Sequence, residues 1–268
     1  MHLDRRAERF ADRTDAGRAL GALVAERLDA GGRSGGGVLV LGLPRGGVPV
    51  AAEVARAIGA PLDVLVVRKI GVPGQPELAM GAVAAVGSGA GPAVEVVTND
   101  AVLERLRIPE TVFRAGLERE MVELRRRASA YRDDRPTPSV RDRTVIIVDD
   151  GLATGATMRA AVAAVRRHGP ATLLVAVPVG ASETCAALRS SAGGAADDVV
   201  CALTPRPFRA VHQGYDDFRQ TTDEEVLACL TYDLGRMSPP GDRGRARPDS
   251  GPGSAVEESP GSTGQGGC

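Results

Sequence analysis

The chain has 268 residues, of which 43% are hydrophobic and 25% are charged, as in an ordinary globular protein. Its formal net charge of −1 provides no strong field for holding nucleic acid or an anionic membrane surface. Only 3% of the residues are aromatic and none is tryptophan, so platforms for stacking single-stranded nucleic acid are scarce.

Short apolar runs alternate with helical stretches through most of the chain. Runs rich in Val, Ile and Leu predict buried parallel strands at residues 38–43, 62–67, 144–149, 172–178 and 198–203. Helices are predicted at residues 48–58, 100–107, 110–131, 156–168 and 182–192, and from about residue 222. An antiparallel hairpin at the sheet edge is predicted from residues 80–86 and 93–97, and loops are predicted at residues 71–76 and 132–143, the first of them mobile. This alternation predicts an α/β fold with a mostly parallel sheet.

The two ends of the chain and its cysteines favour a cytoplasmic protein. The opening MHLDRRAERFADR lacks the apolar region of a signal peptide, and no apolar run is long enough to span a membrane. Four scattered cysteines form neither a disulfide framework nor a zinc pattern and are typical of reduced thiols. From residue 237 Pro, Gly and Ser dominate, so residues 237–268 are predicted to be a disordered tail that follows a domain at 1–236.

The segment VIIVDDGLATGAT, residues 145–157, carries the clearest chemistry. A buried strand ends in Asp149 and Asp150, and a loop with glycines and threonines leads into a helix. Free amides and the helix dipole suit a phosphate monoester, while two neighbouring carboxylates suit a vicinal diol. Together they indicate a ribose 5-phosphate. The spacing of Gly151 and Gly155, with no lysine after them, excludes a P-loop. The alternative is that the two acids merely cap a turn and a helix.

This segment resembles the 5-phosphoribosyl 1-pyrophosphate (PRPP) binding motif of type I phosphoribosyltransferases. The resemblance extends over about residues 10–235. FADRTDAGRAL, LPRGGVPVAAEVA, VRKIGVPGQPELAMGA and YDDFRQTTDEEV are similar to a bacterial subgroup whose substrate is undefined. The resemblance implies a central, mostly parallel sheet flanked by helices, with a small hood of terminal segments that recognises the nucleophile.

The resemblance also implies a role for each matching residue. Asp149 and Asp150 would bind the ribose hydroxyls, and the 5′-phosphate would lie on Gly151, Leu152, Ala153, Thr154, Gly155, Ala156 and Thr157. Arg45, Gly46 and Gly47 resemble the pyrophosphate loop, although RGG alone also fits a plain turn.

Lys69 stands out because every other basic side chain apart from histidine is arginine. We interpret Lys69, with Asp149 and Asp150, as a candidate catalytic residue, and Arg68 as a candidate PRPP ligand; a chance surface lysine is the alternative. Glu77 could meet the nucleophile or pair with Arg68. Phe208, Tyr215 and Phe218 could line the hood or pack in the core.

The reaction implied by the resemblance is transfer of the phosphoribosyl group from Mg²⁺-bound PRPP to a nitrogenous, nucleobase-like acceptor, with release of pyrophosphate. Mg²⁺ would be held mainly by the ligand and water, with no direct protein ligand. The alternative is a non-catalytic PRPP or nucleotide sensor, since the motif describes binding only. No nucleic-acid or membrane partner is predicted, and a homodimer is left open.

Overall fold

The computed structural model describes residues 9–32, 37–89, 92–132, 137–190 and 196–237, and over these ranges the chain forms seven α-helices and eight strands. The helices are α1 Arg13–Ala30, α2 Gly47–Ile58, α3 Asp100–Leu106, α4 Glu110–Arg132, α5 Ala156–Arg166, α6 Ser182–Ser190 and α7 Asp223–Met237. The strands are β1 Val38–Gly42, β2 Leu62–Val64, β3 Val66–Val72, β4 Gln75–Gly87, β5 Pro92–Thr98, β6 Thr144–Val148, β7 Thr172–Val179 and β8 Asp198–Leu203.

A five-stranded parallel sheet in the order β2-β1-β6-β7-β8 lies at the centre of the fold. Its strands are apolar on both faces because each face carries a core. In β6, Ile146 and Val148 pack into the core beneath α1, α2 and α7, whereas Val145 and Ile147 pack into the core beneath α5 and α6. The predicted α/β fold class and parallel sheet are confirmed.

A separate antiparallel sheet, β3-β4-β5, corrects three predictions. The run at 62–67 is two strands in different sheets, with a break at Leu65, and the predicted hairpin does not lie at the edge of the parallel sheet. The predicted loop at 71–76 is the end of a hairpin. Val72 pairs with Gln75 across a two-residue turn in which Gly74 takes a left-handed φ of 76°.

Helix α1, which the sequence reasoning missed, begins after Asp12, whose carboxylate accepts the Asp15 amide at 2.8 Å. Next to α1, the segment around Phe10 meets the segment around Tyr215. Phe10 forms a β-bridge with Tyr215, and the amide of Phe10 donates to the carbonyl of Gly214 at 2.8 Å. These segments form the predicted hood. The predicted tail, apart from Met237, lies outside the described residues.

Within the described ranges, no helix is long and apolar enough to cross a membrane. Cys185, Cys201 and Cys229 are free thiols, and Cys268 lies outside the described residues. The location of the protein therefore stays a prediction.

Candidate functional site

Two loops lie side by side at the carboxyl edge of the parallel sheet. One follows β1 and the other follows β6, and these strands are neighbours with Gly42 paired to Val148. From β1 the chain crosses to β2 on one side, and from β6 it crosses to β7 on the other. This is a topological switch point, where ligands of open α/β sheets bind.

Asp149 opens the second loop in an enclosed position. Its Oδ1 accepts the amide of Asp150 at 2.9 Å, and a β-carbon on Gly47 would lie 2.8 Å from its Cα. Burial raises the pKa of the Asp149 carboxyl well above its usual range, and the neighbouring Asp150 charge raises it further. The site therefore holds a carboxyl group whose charged form is costly.

Asp150 is held by an arginine from the start of α1. Nε and Nη2 of Arg13 donate to Oδ2 of Asp150 at 2.9 and 2.7 Å, and these two side chains are only 12% and 18% exposed. Burial raises the pKa of Asp150, and the Arg13 charge acts in the opposite direction. The carboxylate rests on Gly46, where a β-carbon would lie 2.0 Å from Oδ2.

Residues 151–157 lead into the start of α5, and the carbonyls of Leu152, Ala153 and Thr154 are occupied. The Leu152 carbonyl accepts the Ala181 amide at 2.9 Å, the Ala153 carbonyl accepts Thr184 Oγ1 at 2.7 Å, and that of Thr154 accepts Arg159. No acceptor among the described residues is found for the amides of Ala153, Thr154, Gly155, Ala156 and Thr157. The loop thus offers donors to a ligand at a helix start, as an anion site requires.

The cap of α5 argues against the alternative that Asp149 and Asp150 serve only as helix caps. α5 is capped by Gly155, with a left-handed φ of 71° and no side-chain cap bond. Neither Asp149 nor Asp150 caps the helix. Gly151, at the start of this loop, lies against the hood, since a β-carbon there would lie 2.1 Å from Val211.

Arg45 lies in the first loop, after a cis Pro44–Arg45 peptide bond. Its Nη1 is 4.0 Å from Oδ1 of Asp223 at the start of α7, and the side chain is one-third exposed. Tyr131 donates to the same carboxylate oxygen at 2.6 Å. Arg45 therefore belongs to the loop beside the acid pair and can be reached from solvent.

Arg68 and Lys69 are neighbours on β3 and point to opposite faces of the antiparallel sheet. Arg68 donates to Glu120 of α4 at 2.9 Å. Lys69 lies opposite Ala82, on the face whose residues Val67 and Ala84 pack into the core beneath α5. The structure brings Asp149, Asp150, Gly46 and the loop 151–157 together, and it directs Arg68 away from Lys69. The side chain of Glu77 is outside the described part.

The sequence did not predict a role for Arg13, and it did not predict that Tyr215 and Phe218 lie next to the acid pair. The Tyr215 hydroxyl donates to the carbonyl of Asp150 at 2.6 Å, and the Arg13 guanidinium lies 4.1 Å from the centroid of Phe218. The available signal was the pair of segments FADRTDAGRAL and YDDFRQTTDEEV, which contain all three residues.

The carboxylates of the acid pair are oxygen donors of the kind that suits a magnesium ion carried by substrate phosphates. Among the described residues, no three or more His, Cys, Asp or Glu side chains are grouped to hold a metal. The acid pair supplies two carboxylates, and one of them is engaged by Arg13. Since Mg²⁺ usually keeps several waters and binds substrate phosphates, the residues fit an ion that arrives on a pyrophosphate group.

Comparison with known proteins gives a consistent result. The phosphoribosyl transferase domain family matches residues 8–192. Two curated Mycobacterium tuberculosis proteins, named "Putative phosphoribosyl transferase", are 47% identical over 221 residues, which are 82% of this chain and 46% of theirs. The chain thus spans about half the length of these relatives. The crystal structure of TT1426 from Thermus thermophilus is 41% identical with a TM-score of 0.68, covering 84% of this chain and 98% of that chain.

Proposed function

The chain belongs to the phosphoribosyl transferase domain family, and from that premise we propose that it transfers a phosphoribosyl group from Mg²⁺-bound PRPP to a nitrogenous, nucleobase-like acceptor with release of pyrophosphate. One observation carries the proposal. At the switch point, the acid pair lies between an amide-rich loop at a helix start and the loop of Arg45. This arrangement suits a vicinal diol with an anion on either side.

The ribose phosphate would be bound by groups that the protein leaves available. The unpaired amides of residues 153–157 and the dipole of α5 would hold the 5′-phosphate. Arg13 takes only Oδ2 of Asp150, so Oδ1 is left to accept a ribose hydroxyl. The enclosed Asp149 would bind the second hydroxyl.

Departure of pyrophosphate requires charge stabilisation more than covalent chemistry. The bond from C1 of the ribose to the pyrophosphate oxygen breaks and the pyrophosphate leaves with the bonding electrons. The bond from the acceptor nitrogen to C1 forms, and the proton of that nitrogen passes to the departing pyrophosphate or to water. Arg45 would donate twice to the departing phosphates through its planar fork. Bound Mg²⁺ would supply further neutralisation of their charge. Lys69 would add a compact positive charge from the sheet face directed towards α5.

The proposal is tested by titrating PRPP into the protein calorimetrically with and without Mg²⁺. Hydrogen bonds to charged groups contribute about 1.5–3 kcal/mol each, so Asp149→Ala with Asp150→Ala should weaken binding by about two orders of magnitude or more. Asp216→Ala with Asp217→Ala is the matched control, an adjacent acid pair with side chains 65% and 56% exposed. Equal affinity in the two double variants would refute the ribose assignment.

Turnover is a separate question from binding. Incubation with PRPP and a panel of purine and pyrimidine bases should release pyrophosphate with at least one of them. Binding without release for any nitrogenous acceptor would favour the sensor alternative. The cytoplasmic location and a homodimer remain predictions.

A further inference from the structure

Arg13 makes more contacts around the acid pair than a surface ion pair requires. Two of its nitrogens donate to one oxygen of Asp150, and Nη1 donates to the carbonyl of Arg219 at 2.6 Å. Its guanidinium also stacks on the ring of Phe218 at 4.1 Å. Each contact fixes the plane of the guanidinium, so its position is determined by the hood as well as by Asp150.

Asp150 is also held by two neighbours besides Arg13. The missing side chain of Gly46 leaves room for its carboxylate, and the hydroxyl of Tyr215 holds its carbonyl. Tyr215 is 1% exposed and packs between Phe10 and Phe218, with ring centroids 6.0 and 4.9 Å away. The beginning and the end of the folded unit therefore meet on this one acidic residue.

We propose that Arg13 is a positioning residue for ribose recognition, which fixes the Asp150 carboxylate so that Oδ1 faces the diol. The proposal rests on the proposed function, because it assumes that Asp150 binds a ribose hydroxyl. It assigns the hood a task beyond acceptor recognition, since Arg13, Phe218 and Tyr215 act on the PRPP side of the site. Arg13 also supplies a positive charge next to two adjacent, half-buried carboxyl groups.

The test measures PRPP affinity in the presence of Mg²⁺ for Arg13→Met and Arg13→Lys. Arg18→Met is the matched control, because Arg18 lies on the same helix, is 69% exposed, and pairs with Glu53 at 3.6 Å, away from the acid pair. We expect Arg13→Met to weaken binding at least about tenfold, Arg13→Lys to restore part of this loss, and Arg18→Met to have no effect.

A pH profile separates positioning from a structural role. Without the guanidinium, the protonation of Asp150 moves to higher pH, so the loss of PRPP affinity on acidification should begin at a higher pH in Arg13→Met than in the wild type. A role in folding alone would lower the unfolding temperature without moving this profile. If Arg13→Met does not fold, Arg13→Gln, which also removes the charge but keeps a hydrogen-bond donor, carries the same comparison.

Each outcome decides between the two claims. Wild-type binding with unchanged affinity in Arg13→Met overturns the inference and leaves the proposed function intact. An unshifted pH profile with reduced affinity also overturns it. Absence of PRPP binding in the wild type and in Arg18→Met refutes the proposed function, and the inference falls with it.

Discussion

Gly46→Ala tests the geometry of the acid pair through sterics alone. Gly46 has φ −62° and ψ −32°, which any residue adopts, so its backbone does not require glycine. A β-carbon there would lie 2.0 Å from Oδ2 and 2.7 Å from Cγ of Asp150. Because Arg13 holds that carboxylate, it cannot swing aside without breaking the ion pair. Gly46→Ala is expected to destabilise the protein by overpacking.

The magnitude follows from two opposing effects. Overpacking costs about 1–3 kcal/mol. Without a clash, glycine to alanine in an allowed conformation stabilises by about 0.4–1 kcal/mol, because the unfolded chain loses freedom. In an Asp150→Ala background the carboxylate is gone and the next neighbour, Nε of Arg13, is 3.1 Å away. We therefore predict a coupling energy of about 1.4–4 kcal/mol between the two positions.

Urea unfolding of the wild type, both single variants and the double variant measures this coupling. Independent sites add to within about 0.3–0.5 kcal/mol, so the predicted value is well outside that limit. An equal cost of Gly46→Ala in both backgrounds would show that Asp150 does not limit the space at Gly46. If Gly46→Ala costs no stability in the wild-type background, the close approach of the Gly46 backbone to the Asp150 carboxylate is refuted.

Four further variants test other features of the molecule. Asp149→Asn should unfold at higher urea than the wild type near neutral pH and lose PRPP affinity. Burial raises the pKa of Asp149 in the folded state above its ordinary pKa in the unfolded chain. The wild type therefore loses stability as the pH rises from the ordinary pKa to the raised pKa, and the advantage of asparagine should disappear on acidification. Lys69→Met should weaken PRPP binding, whereas Arg68→Met should leave PRPP binding unchanged. Arg68→Met should cost under about 1 kcal/mol of stability in urea unfolding, because the ion pair of Arg68 with Glu120 is partly exposed. The reverse result would contradict the assignment of Lys69 and Arg68 to opposite faces of the antiparallel sheet. Deleting residues 238–268 should leave the unfolding free energy and the PRPP affinity unchanged, and a large loss of either would refute the predicted tail.

The parallel sheet could be predicted because each of its strands is a separate apolar run between turn signals. The break within residues 62–67 could not, since both parts are buried and the run carries no polar residue where Leu65 turns the chain into a second sheet. The hairpin at Pro73–Gly74 had a legible signal, a proline before a left-handed glycine. The two prolines and two glycines of residues 71–76 predict a loop. The structure differs because the strands on both sides extend beyond their apolar runs and pair as far as Val72 and Gln75.

Whether a residue of the candidate site could be predicted also depended on its distance along the chain from the other site residues. Asp149, Asp150 and the loop to Thr157 are contiguous, so their strand, turn and helix context is legible locally. Arg13 reaches Asp150 from 137 residues away and Tyr215 reaches it from 65 residues away. No spacing rule connects such positions. Their contacts depend on the packing of α1 and of the hood, which only the folded chain supplies.

The acid pair itself is the strongest argument that this edge of the sheet serves a ligand. Two adjacent, half-buried carboxyls lie where desolvation raises the pKa of both, and neither caps α5. Arg13 compensates Asp150, but no described side chain donates a hydrogen bond to Asp149, whose recorded donor is the backbone of Asp150. A purely structural turn gains nothing from such an arrangement, because an uncompensated buried acid lowers stability. A diol that donates to both carboxyls would satisfy them, and such a ligand would lie where the two loops meet at the carboxyl edge of the sheet.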